Sequence, residues 1–192
     1  MGAVRNLTNE YKELYSINLQ KDKKIAIIVN VVALMIAALM IISMNFFVPI
    51  SLFFNVESGL INYFIKFIVF IGSMVGYMCL HELVHGVAMK AFGTKKVRYG
   101  FTGMYAFAGS DDYYDKKSYI IIALAPIIVF LFIFAVINLI VPREWFWIVY
   151  FLQVINVSGA AGDLFVTAKF MNMPKDILIK DFGVEMKVYS KQ

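Results

Sequence analysis

The chain has 192 residues, of which 61% are hydrophobic and 16% charged, with a formal net charge of +5. Ordinary soluble domains carry about 45–50% apolar and about 25% charged residues, whereas the mean hydropathy here is +0.75. That composition excludes soluble globular, disordered, collagen-like and disulfide-stapled classes, and the single cysteine, Cys79, has no partner for an internal disulfide.

Some two dozen mostly polar residues precede the first apolar run, which is too long for a signal-peptide core. Four apolar runs follow, at about residues 25–49, 60–89, 119–141 and 145–168. Each exceeds the roughly 20 helical residues that cross a bilayer core about 30 Å thick. The sequence therefore predicts an all-α polytopic membrane protein: a single membrane-embedded domain over 1–192 with four transmembrane helices. Between the second and third runs, the loop 93–118 alternates Val97, Tyr99 and Phe101 with Arg98, Gly100 and Thr102. With the aromatic run Met104 to Phe107 after Gly103, this reads as a small β-ribbon. The tail 174–192 mixes charge with Ile177, Leu178, Ile179, Phe182 and Val184, and reads as a mobile or surface-lying segment.

Lysine and arginine give the orientation. Sixteen of the eighteen fall before the first run, around the loop 93–118, or after the fourth run; only Lys66 and Arg143 remain for the other side. The positive-inside rule then makes both termini and the ribbon cytoplasmic, in a multi-pass protein of the cell membrane, the bacterial cytoplasmic membrane. The basic surplus is spent on topology and attraction to anionic lipid, so no nucleic-acid partner is expected. Trp145 and Trp147 stand where an outer aromatic belt would put them.

The chemistry lies in the second run, at His81-Glu82-Leu83-Val84-His85. In a helix, residues i and i+4 share a face, so the two imidazoles point at one spot. That spacing suits two nitrogen ligands on one zinc ion, and Glu82 flanks the spot as a general base. These are the only histidines in the chain. The bland alternative is a pair of packing imidazoles with Glu82 protonated or ion-paired, but no lysine or arginine lies in the spans beside it except Lys66. A catalytic zinc needs a third protein ligand. Only Glu82 and Asp163 are acids within the four runs. At 1.5 Å per residue, the histidines lie roughly 7–14 Å, and Asp163 roughly 9 Å, below the cytoplasmic boundary. The depths agree, so Asp163 is the expected third ligand.

Small residues surround that aspartate, in Ser158-Gly159-Ala160-Ala161-Gly162-Asp163. They permit close helix approach or a local bend. Asn156, two turns earlier, is a candidate for positioning substrate, with a plain interhelical hydrogen bond as the alternative. Gly72 and Gly76 form a small-residue stripe suited to helix packing or a homo-oligomer contact. Cys79 reads as a buried bystander, and Asp111, Asp112 and Asp115 as solvated loop acids.

His81-Glu82-x-x-His85 in a span, with an aspartate in a later one, resembles the site-2-protease type of intramembrane zinc metalloprotease. The likeness is closest to a small bacterial membrane family of putative zincin peptidases. It rests on His81 to Gly86, on Ala123-Leu124-Ala125-Pro126 and on Ser158 to Asp163, and covers about residues 75–170. The resemblance implies His81, His85 and Asp163 as zinc ligands and Glu82 as catalytic base. The sequence departs from the site-2 pattern at Asp163-Leu164, where an Asp-Gly pair is usual. The leading expectation is a Zn2+-dependent metallopeptidase acting on a peptide or membrane-protein substrate near the cytoplasmic side. The competing expectation is an inactive metal-binding membrane protein that sequesters others; it needs neither Glu82 nor an open coordination position.

Overall fold

A computed structural model describes residues 2–18, 20–56, 59–103 and 106–191. Met104 and Tyr105, which the sequence assigns to the ribbon, lie outside the described residues. In chain order the longer helices are α1 (Lys23–Asn45), α2 (Leu60–Ala91), α3 (Lys116–Ile140), α4 (Phe146–Gly159) and α5 (Ala161–Met171). The strands are β1 (Tyr11–Asn18), β2 (Val97–Phe101), β3 (Ala106–Ser110), β4 (Tyr113–Asp115), β5 (Leu178–Asp181) and β6 (Glu185–Lys191). The fold is mostly helical but not all-α, which corrects the expected class.

Among the described residues, four segments are long and apolar enough to cross a membrane: Lys23–Asn45, Leu60–Ala91, Lys116–Ile140 and Arg143–Met171. None of the most apolar stretch of α1 is buried within the protein, and Leu34 and Leu39 are 71% and 70% exposed. Soluble proteins rarely present so continuous an apolar face to water. The fourth segment is two helices, not the one expected. Its helical run ends at Gly159, Ala160 leaves the helix at φ −82°, ψ 15°, and α5 starts at Ala161. Ser158 Oγ donates to the Val154 carbonyl at 2.7 Å, a back-bond that bends helices.

The chain packs as two compact units. The first comprises Met1–Val29, Leu80–Pro126 and Gly162–Gln192. Its main sheet runs β1-β6-β5-β4, antiparallel throughout, and β2 pairs with β3 as a separate hairpin turning at Gly103. Inward residues of the sheet, Ile17, Ile179, Met186 and Val188, meet Met89 of α2, Ile122 of α3, and Val166 and Phe170 of α5. Each such fully buried aliphatic or aromatic side chain contributes about 1.5–3 kcal/mol. The tail read as mobile or surface-lying is therefore the centre of a sheet. Its alternation is disguised because Asp181 occupies an inward position beside Ile179. There the carboxylate accepts from Tyr119 Oη at 2.9 Å and from the Gly183 amide at 2.7 Å. Burial nevertheless pushes its pKa up to about 6. Asp115 caps α3, accepting from the Ser118 amide at 3.0 Å and the Ser118 hydroxyl at 2.9 Å.

The hairpin is locked to the main sheet by a close approach. A Cβ on Gly109 would lie 2.6 Å from the Phe182 carbonyl carbon and 2.7 Å from the Gly183 nitrogen. Both obstacles are backbone, and the Gly183 turn itself needs φ +99°. Gly109→Ala should therefore destabilise the first unit by about 1–3 kcal/mol, as overpacking does. A lowered thermal midpoint in detergent is the expected readout; an unchanged one means the hairpin does not dock so closely.

The second unit comprises Asn30–Cys79 and Ile127–Ala161. Trp147, Tyr150 and Val154 form its centre, packed by Ala37, Met40, Ile41 and Met44 of α1. Trp147 is 1% exposed and its Nε1–H donates to the Pro49 carbonyl at 3.1 Å. This ring serves internal packing rather than an outward-facing belt. Lys66, on an otherwise apolar stretch, is 10% exposed at its side chain and lies 3.7 Å from the Glu144 carboxylate. Pairing offsets the cost of holding an ammonium there. A Cβ at Gly72 or Gly76 would meet nothing within 4 Å, so this stripe is open within the single chain.

Candidate metal centre

The second half of α2 carries His81, Glu82 and His85, and the first turn of α5 carries Asp163. All four belong to the first unit. One helical turn separates the imidazoles, whose ring centroids are 5.0 Å apart. His81 Nε2 lies 3.6 Å, and His85 Nε2 3.7 Å, from the same oxygen, Oδ2 of Asp163. The three donor atoms all lie within 4.8 Å of one another. Among the described residues, no other group of three His, Cys, Asp or Glu donors is so close.

These distances discriminate between two explanations. Good N–H···O hydrogen bonds span about 2.7–3.2 Å, and both imidazole contacts to Asp163 are longer than that. Neighbouring ligands of a tetrahedral zinc with bonds of about 2.0–2.2 Å stand about 3.3–3.6 Å apart. The separations match a shared ion better than a hydrogen-bonded triad. The outer nitrogen of His85 supports the same fit. Its Nδ1 lies 3.0 Å from the Ile122 carbonyl, which can only accept. Nδ1 therefore carries a proton, which leaves Nε2, the nitrogen facing Asp163, as the one available to a metal. The imidazole side chains are 12% and 11% exposed and that of Asp163 is 23%, which makes the carboxylate side the open one.

Glu82 is rotated about 100° from His81 around the helix, and its carboxylate lies near the backbone N–H of Ala108 on β3. The hairpin reaches the helix here because Gly86 has no side chain. A Cβ at Gly86 would run into the Tyr99 hydroxyl, and Tyr99 pairs with Ala108 across the hairpin. One short strand pair thus lies alongside the helix turn that holds both histidines.

Residues 74–178 match the model of a family described as "Putative zincin peptidase". The chain belongs to that family. The match takes in all of the centre and the hairpin, and it leaves out α1 and nearly all of the last two strands. No curated protein and no solved structure matches the chain. The family name carries zinc, and the donor set of this zincin-family chain fits that ion.

The other residues singled out in the sequence are placed elsewhere. Asn156 is fully buried in the second unit and both ends of its amide are engaged. Its Oδ1 accepts from Tyr77 Oη at 3.0 Å and its Nδ2 donates to the Ile127 carbonyl at 3.0 Å. These two bonds make it an interhelical bridge, the geometry of the plainer alternative. The face it was expected to share with Asp163 ends where α4 ends. Cys79 is exposed rather than buried, and contributes nothing to the cluster. Asp111 lies 3.0 Å from Arg98 and 3.7 Å from Lys180, paired and outside the donor cluster. Sequence reasoning missed Tyr99 and the Ala108 amide. The available signal was the glycine directly after the second histidine.

Proposed function

We propose that this chain is a zinc-dependent, membrane-embedded metallopeptidase that cleaves a peptide bond near the cytoplasmic side of the bilayer. The observation that carries the reading is the convergence of His81, His85 and Asp163 on one point with zinc-ligand spacing. Family membership and the four apolar segments support it. The lysine and arginine distribution supports the sidedness, with both termini and the sheet in the cytoplasm.

In this mechanism His81, His85 and Asp163 hold the ion. Zinc, when bound, supplies Lewis-acid polarisation of the scissile carbonyl and makes a nearby water more acidic. Glu82 takes a proton from the attacking water and passes it to the leaving amine. Its position one residue beyond His81 puts it beside the ligands without making it one. The Ala108 amide steadies the carboxylate while leaving it acceptor capacity for that proton. The β2–β3 hairpin beside the centre offers backbone to an extended substrate, since strand addition holds a peptide by its main chain. The substrate class is then an extended peptide segment of a membrane or membrane-associated protein.

Metal analysis of the purified protein beside His81→Ala tests the site. The wild type should carry close to one zinc per chain and the variant far less. Equal metal in both would defeat the assignment.

A further inference from the structure

An α-helix bonds each carbonyl to the amide four residues further on. For Ile122 that amide belongs to residue 126, which is Pro126, inside α3. Proline has no N–H to give. The Ile122 carbonyl therefore leaves the helical ladder without its donor, at a position that is 1% exposed. Within a membrane-spanning segment such a carbonyl must be satisfied by the protein itself. The His85 imidazole does so, with Nδ1 3.0 Å from that oxygen.

Two needs meet at this contact. A helix carrying an interior proline has an orphan acceptor, and a histidine ligand needs an acceptor on its outer nitrogen to fix ring and tautomer. Pro126 and His85 are 41 positions apart in the chain, yet both belong to the first unit. We infer that Pro126 is a positioning residue: by withholding an amide from Ile122 it reserves that carbonyl for the His85 Nδ1–H, and so aims Nε2 at Asp163 and His81. This gives a chemical duty to a proline that would otherwise only weaken its helix. The consequence for zinc rests on the metallopeptidase reading, while the contact itself does not.

The test uses the full chain in detergent micelles, labelled with 15N-histidine, in wild type, Pro126→Ala and Pro126→Gly. Only two histidines are present, and His81→Gln assigns their signals. Both substitutions restore an amide at 126, one favouring the helix and one not, so an effect of helix stiffness differs between them. In the wild type, with or without zinc, the His85 Nδ1–H resonance should be far downfield and slow to exchange with solvent. In both variants it should move upfield and exchange faster as the amide competes for Ile122. Zinc affinity by chelator competition should fall about tenfold, the low end of what an outer-partner loss costs, because a carbonyl has two lone pairs and can be shared. An unchanged resonance in both variants overturns the inference, even if zinc affinity falls, since the effect would then pass through helix shape. A wild type that binds no zinc removes the metallopeptidase reading instead, and the resonance comparison still decides the role of Pro126.

Discussion

Glu82→Gln should abolish peptide cleavage while leaving zinc content at the wild-type level. The separation of these two readouts follows from where Glu82 stands. It is next to His81 in sequence but turned about 100° away around the helix, and it is not among the three clustered donors. Glutamine has almost the same shape and keeps a carbonyl oxygen for the Ala108 amide, so the helix and hairpin should stay in place. What glutamine cannot do is accept a proton. General base catalysis contributes about 10²–10⁴-fold, and a loss of that size or larger is expected. The measurement is turnover of a quenched-fluorescence peptide library by protein reconstituted in liposomes, with zinc content measured on the same samples. Cleavage by the variant at the wild-type rate would remove Glu82 from the base role. Loss of both cleavage and zinc would make it a ligand instead.

The parts of the molecule legible in the sequence are those whose physics is local. A long apolar run needs only composition to be recognised, and each expected span coincides with a helical segment within a few residues. The pairing of His81 with His85 needs only helix periodicity. Asp163 needed one further step, a match of depths in the bilayer, and its approach to the histidines at 3.6 and 3.7 Å agrees with that step. The four-stranded sheet was not legible, because two of its neighbouring strands come from opposite ends of the chain: Tyr11–Asn18 pairs with Glu185–Lys191. No local pattern announces a pairing over that separation, and Asp181 at an inward position breaks the alternation that would reveal β5. Asn156 shows the opposite failure. Its spacing from Asp163 is right for one continuous helix, but the helix stops at Gly159. The Ile122 carbonyl and the Ala108 amide are backbone groups, and a sequence cannot display them except through neighbours such as Pro126 and Gly86.

Asp163→Ala should empty the centre of zinc without unfolding the protein. Asp163 Oδ2 is the atom on which both imidazoles converge, so its removal leaves two nitrogens on one helix and no third donor among the clustered residues. Loss of a mere outer partner costs about 10–100-fold in metal affinity; loss of a direct, charged ligand should exceed that. The fold has less at stake. Asp163 sits in the first turn of α5, where a carboxylate stabilises the helix end by about 0.3–1 kcal/mol. Alanine forfeits that and keeps good helix propensity. Thermal unfolding in detergent separates the two effects. A ligand present at 100 times its dissociation constant stabilises by about 2.7 kcal/mol. Zinc should therefore raise the wild-type midpoint clearly and the variant's not at all, while the metal-free midpoints stay close. A variant that keeps the full zinc shift would leave helix α5 outside the metal centre, and with it the closure of the site by a residue some eighty positions from the histidines.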